Sequence, residues 1–76
     1  MITVKLYGLL RIESGIKEVQ LDAGSVKEVL AHLAERGISR KELSGCVILV
    51  NGKSANKRSK LTDGDRVVLM SPVAGG

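Results

Sequence analysis

One stretch of this chain has the periodicity of a helix, and the segments around it read as strands. Val26, Val29, Leu30 and Leu33 recur at three- and four-residue spacing and form a single apolar stripe. Ser25 and Glu28 open the stretch as a capping box, each satisfying the other's free backbone N–H. Gly37 stands at the position of a helix C′ glycine, with Ile38 just beyond for the accompanying hydrophobic contact. The spacing predicts a helix over residues 25–36. A second Ser-x-x-Glu, Ser39 to Glu42, adds one further helical turn before Gly45.

Strand signals flank the helix on both sides. Ile2, Val4 and Leu6 alternate with Thr3, Lys5 and Tyr7, the pattern of a half-buried strand. Residues 9–15 read as a connection with Gly15 as its turn. Val19 and Leu21 then alternate with Glu18, Gln20 and Asp22, giving a short second strand antiparallel to the first. Beyond the helix, Cys46 to Val50 is a continuous apolar run, and Asn51-Gly52 closes it as a hairpin turn because both residues tolerate positive φ. A short strand near Lys53 follows. Asn56 to Lys60 is a polar loop, Leu61 a lone core anchor, and Thr62-Asp63-Gly64-Asp65 a turn. The last strand covers residues 66–71, and Pro72 ends its pairing because proline has no N–H to donate. A lone main helix must cover one face of one mixed sheet of four to five strands. The fold class is α+β, with a domain over residues 1–72 and a tail over 73–76.

Seventy-six residues form one domain. A chain of this size buries only about 60% of the surface it exposes when unfolded, which leaves little interior for an enclosed active site. The core is aliphatic, since the chain has no Phe, no Trp and one Tyr. No segment has the apolar length of a membrane span, the first residues read as a strand and not as a leader, and a cytoplasmic protein is the expectation. The single cysteine, Cys46, excludes an internal disulfide. The net charge of +4 points to acidic partners. Nucleic acid is disfavoured, because the aromatic side chains that stack on bases are missing apart from Tyr7.

The sequence closes on Gly75-Gly76. Without Cβ atoms, the pair forms a thin strip that can thread a narrow channel. It would deliver the α-carboxylate of Gly76, a group that adenylation activates for attack by sulfur or an amine. The plain alternative is a frayed chain end.

Four segments in order carry a resemblance over the whole length: Leu6-Tyr7-Gly8 to Glu13-Ser14-Gly15, then Val50-Asn51-Gly52, then Leu61 to Val67, then Pro72-Val73-Ala74-Gly75-Gly76. Together they resemble the ubiquitin-like β-grasp sulfur carriers, which include the small subunit of molybdopterin synthase and the thiamine-pathway carrier. The Pro-Val-x-Gly-Gly ending is closer to the molybdopterin branch. The resemblance implies a β-grasp fold and a carrier cycle with no bound cofactor. An E1-like adenylyltransferase uses ATP to convert the Gly76 carboxylate to an acyl-adenylate, and a persulfide sulfur replaces AMP to give a thiocarboxylate. The tail then enters an acceptor enzyme, in the molybdopterin branch the large subunit of molybdopterin synthase. Two other readings stay open. One is a carrier serving thiamine, cysteine or tRNA thiolation, or a ubiquitin-like modifier forming an isopeptide bond. The other is a β-grasp binding module in which Gly75-Gly76 is inert.

Strand parity locates a docking surface. With Val67 and Leu69 facing the helix, Val68 and Met70 point to the other side of the sheet, and Val47 and Leu49 are expected to join them. Apolar side chains on an open face beside the tail mark a partner footprint, extended by Pro72, Val73 and Ala74. Lys53, Lys57, Arg58 and Lys60 form a basic cluster, read either as a solvated loop or as steering toward an acidic partner. Cys46 reads as a small buried hydrophobe with no neighbouring base, and His32 as a partly exposed surface histidine. Asp63 and Asp65 read as turn residues. No metal-ligand spacing, phosphate loop or catalytic triad pattern is present.

Overall fold

The computed structural model describes residues 1–71. Pro72, Val73, Ala74, Gly75 and Gly76, and the expectations placed on them, lie outside the described residues. The elements in chain order are β1 (Ile2–Tyr7), α1 (Leu9–Ser14), β2 (Glu18–Leu21), α2 (Val26–Glu35), α3 (Arg40–Ser44), β3 (Val47–Val50), β4 (Lys53–Ser54) and β5 (Arg66–Met70). The five strands form one mixed sheet in the order β2-β1-β5-β3-β4. The central pair, β1 with β5, is parallel, and β1–β2, β3–β5 and β3–β4 are antiparallel. This is the β-grasp arrangement, with α2 as the main helix against one face.

The core is the inner face of the sheet closed by α2. Ile2, Val4 and Leu6 of β1, Leu21 of β2 and Val67 and Leu69 of β5 are all buried, together with Val26, Val29 and Leu33 of α2. Ile48 and Val50 of β3 pack against the edge of this cluster, and Leu61 is buried as the anchor beneath the loop. Leu30 departs from the expected stripe. It is only half-buried, because it faces a shallow groove shared with Ala34 and with Leu43 of α3 and stands at the margin of the core.

The ends of α2 follow from local chemistry with one change. The Ser25 hydroxyl accepts from the Glu28 N–H at 3.3 Å. The Glu28 carboxylate returns the bond one residue earlier than expected, to the Gly24 N–H at 3.2 Å, and also receives the Ser25 hydroxyl at 3.3 Å. At the other end, the Gly37 N–H meets the Ala34 carbonyl at 3.0 Å and the Ile38 N–H meets the Leu33 carbonyl at 3.2 Å. That pair of bonds is a Schellman closure, with Gly37 at φ +98° and Ile38 buried.

The connection expected over residues 9–15 is a helix. α1 starts after Gly8 and stops at Gly15, whose φ of +74° ends it in the left-handed region. Six residues are too few for a readable stripe, and only Leu10 is buried, so the periodicity carried little weight. The paired glycines bracketing an apolar Leu9-Leu10-x-Ile12 were the available signal.

Candidate functional site

The outer face of the sheet is built by the side chains that alternate away from α2. Register places Val47 opposite Met70 and Leu49 opposite Val68 across β3–β5, and Met70 opposite Tyr7 across β1–β5. Tyr7, Met70 and Val47 thus form one row, with Tyr7 40% and Val47 44% exposed and Met70 partly so. The next row holds Lys5, Val68 and Leu49, with Lys5 reaching Glu18 of β2 at 3.8 Å. The third pairs Thr3 with Arg66. The face therefore grades from apolar at the end of β5 to polar at its start. The expected parity of Val47, Leu49, Val68 and Met70 is the observed one. Tyr7 joins them unanticipated, because its neighbours on the same parity of β1, Thr3 and Lys5, are polar; only the parallel register brings it beside Met70.

The apolar row ends at the root of the tail. Ser71 follows Met70, and its hydroxyl accepts the Leu10 N–H of α1 at 3.0 Å. Gly8 lies against it, with φ of +67°, where any side chain would be strained. A Cβ there would sit 3.6 Å from that of Ser71, an ordinary contact, so backbone conformation and not crowding calls for glycine. β1 and α1 thereby fix where the chain leaves the sheet.

The hairpin and turn motifs interlock at the opposite end of β5. Asn51 has φ of +51°. Its side-chain amide donates to Asp65 at 3.0 Å, while its side-chain oxygen accepts from the Arg66 N–H at 3.0 Å. The other Asp65 oxygen accepts from the Thr62 N–H at 2.8 Å. These donors, the Thr62 backbone first and Asn51 second, hold the Asp65 carboxyl below its usual range. A carboxyl depressed by folding stabilises the fold above its unfolded value of about 3.9, and that contribution is lost as pH falls through the folded value. Asp65→Asn should lower the melting temperature at neutral pH, and the gap to wild type should narrow as pH falls through the acid range and Asp65 protonates, as thermal melts would register. Asp63, by contrast, takes the Met1 amine. Both aspartates stand in the expected turn, but only Asp65 holds it through its side chain.

The remaining expected residues separate. Lys57, Arg58 and Lys60 line one recess, joined by Lys27 of α2, whereas Lys53 stands on β4 outside it. Cys46 is half-buried, its thiol donates to the Leu43 carbonyl at 2.9 Å, and burial pushes its pKa up. A protonated thiol is a poor nucleophile. His32 is partly exposed. Among the described residues no group of three His, Cys, Asp or Glu could hold a metal, and no helix is long and apolar enough to cross a membrane. The described residues thus offer recognition surfaces without an assembled acid–base or metal centre.

Comparison with known proteins agrees with that architecture. No curated protein sequence matches the chain. Among solved structures, a chain of the complex of subunits 1 and 2 of the molybdopterin-converting factor from Helicobacter pylori 26695 is similar at 29% identity, covering 99% of this chain and 97% of that one, with a TM-score of 0.75. Small archaeal modifier protein 1 from Methanosarcina acetivorans is similar at 26% identity, over 99% and 95% of the two chains, with a TM-score of 0.84. A chain of the BexX/CysO complex of Amycolatopsis orientalis shares the fold, at 24% identity over 100% of both chains and a TM-score of 0.71. The ThiS family model matches residues 4–76. The chain belongs to the ThiS family of ubiquitin-like sulfur carriers.

Proposed function

We propose that this protein is the sulfur-carrying small subunit of a molybdopterin synthase, with Gly76 as its working terminus. An E1-like enzyme adenylates the Gly76 carboxylate with ATP, releasing pyrophosphate. A persulfide sulfur displaces AMP to give an acyl disulfide, and a second thiol of the sulfur-donating machinery attacks the donor's sulfur, forming a disulfide with it and releasing Gly76 as the thiocarboxylate. The large synthase subunit then receives the tail and the sulfur passes to a pterin precursor. The observation that carries this reading is the Pro72-Val73-Ala74-Gly75-Gly76 ending. In sequence it begins two residues after Met70, which stands in an apolar outer row with Tyr7 of β1 and Val47 of β3. The 29% identity to a chain of the Helicobacter pylori complex supports the choice of branch. The decisive experiment incubates the protein with an E1-like enzyme, ATP and a sulfur donor. Mass spectrometry should find the exchange of one oxygen for sulfur, placed on Gly76 by fragmentation, and Cys46→Ala should gain it equally.

A modifier role is the second reading, favoured by the likeness to small archaeal modifier protein 1. It requires the activated Gly76 to be attacked by a lysine amine. Isopeptide-linked Gly-Gly remnants on other proteins would select it over the synthase.

The outer face supplies docking in either reading. Val68→Asp and Met70→Asp leave the buried Val67 and Leu69 untouched, so the isolated domain should stay folded. Pull-down with the activating or acceptor enzyme should weaken, because the new charge is desolvated in an apolar contact. Unfolding of the free variants would count against this surface assignment.

A further inference from the structure

A second surface lies at the other pole of the molecule. Lys27, Lys57, Arg58 and Lys60 surround an open recess of about 600 Å³, whose other lining residues are Gly24, Ser25 and Glu28. All four cations are exposed, and among the described residues none makes an ion pair. With one carboxylate among them, they concentrate a local excess of three positive charges, against +4 for the whole chain. Self-repulsion of this kind is unfavourable unless a partner neutralises it.

The backbone that carries the cations is fixed. The Val26 N–H donates to the Ser59 carbonyl at 2.9 Å, Lys27 N–H to the Lys57 carbonyl at 3.1 Å, and Leu61 N–H to the Gly24 carbonyl at 2.9 Å. Within the loop, Asn56 accepts from the Arg58 N–H at 2.8 Å. The first amides of α2 are thereby consumed by the loop, and what the recess offers is side-chain charge on an ordered frame. Such a frame lowers the ordering cost of binding.

Its position separates it from the docking face. Ser25 and Gly24 follow β2, whose end pairs with Ile2 at the start of β1, while Tyr7 stands at the far end of β1 beside Met70, after which Ser71 follows. A partner in the recess therefore leaves both the apolar row and the tail root uncovered.

We infer that the recess formed by Lys27, Lys57, Arg58 and Lys60 docks an acidic segment of a partner protein, rich in Asp and Glu. A short carboxylate-bearing peptide fits a compact ring of cations converging on one hollow. Single-stranded nucleic acid needs a longer basic track with stacking platforms, and the single aromatic residue, Tyr7, is at the opposite pole. The inference does not rest on sulfur chemistry, and its test leaves the tail unused.

The test titrates the full-length, 15N-labelled protein with a hexaglutamate peptide. Amide shifts should be confined to residues 24–28 and 57–60. The affinity should fall steeply as salt rises. The Lys57→Glu, Arg58→Glu, Lys60→Glu triple variant should bind about tenfold more weakly or worse, a loss of about 1.4 kcal/mol, with an unchanged melting temperature. The single variant Lys27→Gln provides a milder check should the triple variant fold poorly. Shifts spread over lysines outside the recess, undiminished binding by either variant, or tighter binding of an oligouridylate than of the peptide would each overturn the inference.

Discussion

Removal of Gly76 should abolish sulfur transfer while leaving the fold intact. Adenylation needs a free carboxylate on a backbone slender enough to enter a channel, and a chain one residue shorter presents the wrong carboxylate at the wrong depth. Appending one residue after Gly76 moves the reactive group out of register, and a bulky residue at Gly75 blocks entry. All three changes should reduce thiocarboxylate formation to background. None removes a buried side chain described above, so melting temperatures should match wild type. Thiocarboxylation of the shortened chain, or sulfur recovered on Cys46, would end the carrier reading proposed here.

Leu33→Ala should be the most damaging of single substitutions on the helix. Leu33 is 0% exposed and packs against the sheet beside Val26 and Val29. Deleting its side chain removes buried methylenes and leaves a cavity that the small core cannot close, at a cost of about 2–5 kcal/mol. In a domain of this size each kcal/mol shifts the melting temperature by about 4–8 °C. Leu30→Ala, at the margin of the core, should cost clearly less. Denaturant melts of the pair would measure the difference, and equal losses would mean that the groove beside Leu30 is as tightly packed as the centre.

The helix and the five strands were legible because each has a local cause. Ser25 and Gly37 bracket α2, Asn51-Gly52 forces the β3–β4 hairpin, alternation marks β1, and continuous apolar runs mark β3 and β5. Strand parity then located Val47, Leu49, Val68 and Met70 on the outer face. Four features were not legible, each for a physical reason. α1 is too short to show a period, and its ends depend on Gly8 and Gly15 adopting positive φ. Leu30 belongs to the apolar stripe by spacing, yet α3 covers only part of it. Tyr7 enters the apolar row, and Lys27 the basic recess, through pairings between distant segments that no local pattern encodes.

The parallel pairing of β1 with β5 has a consequence for how the protein is made. The first strand of the chain finds its main neighbour only in residues 66–70, and β3 reaches β1 solely through that late strand. A nascent chain lacking β5 holds a β1–β2 pair and a β3–β4 pair with no strand between them, and isolated two-stranded units are marginal in water. Closure must await the last strand, and long-range pairing of this kind slows folding. A prematurely terminated product is thus expected to stay unfolded and open to proteolysis. Synthesis itself decides which molecules survive to meet a partner.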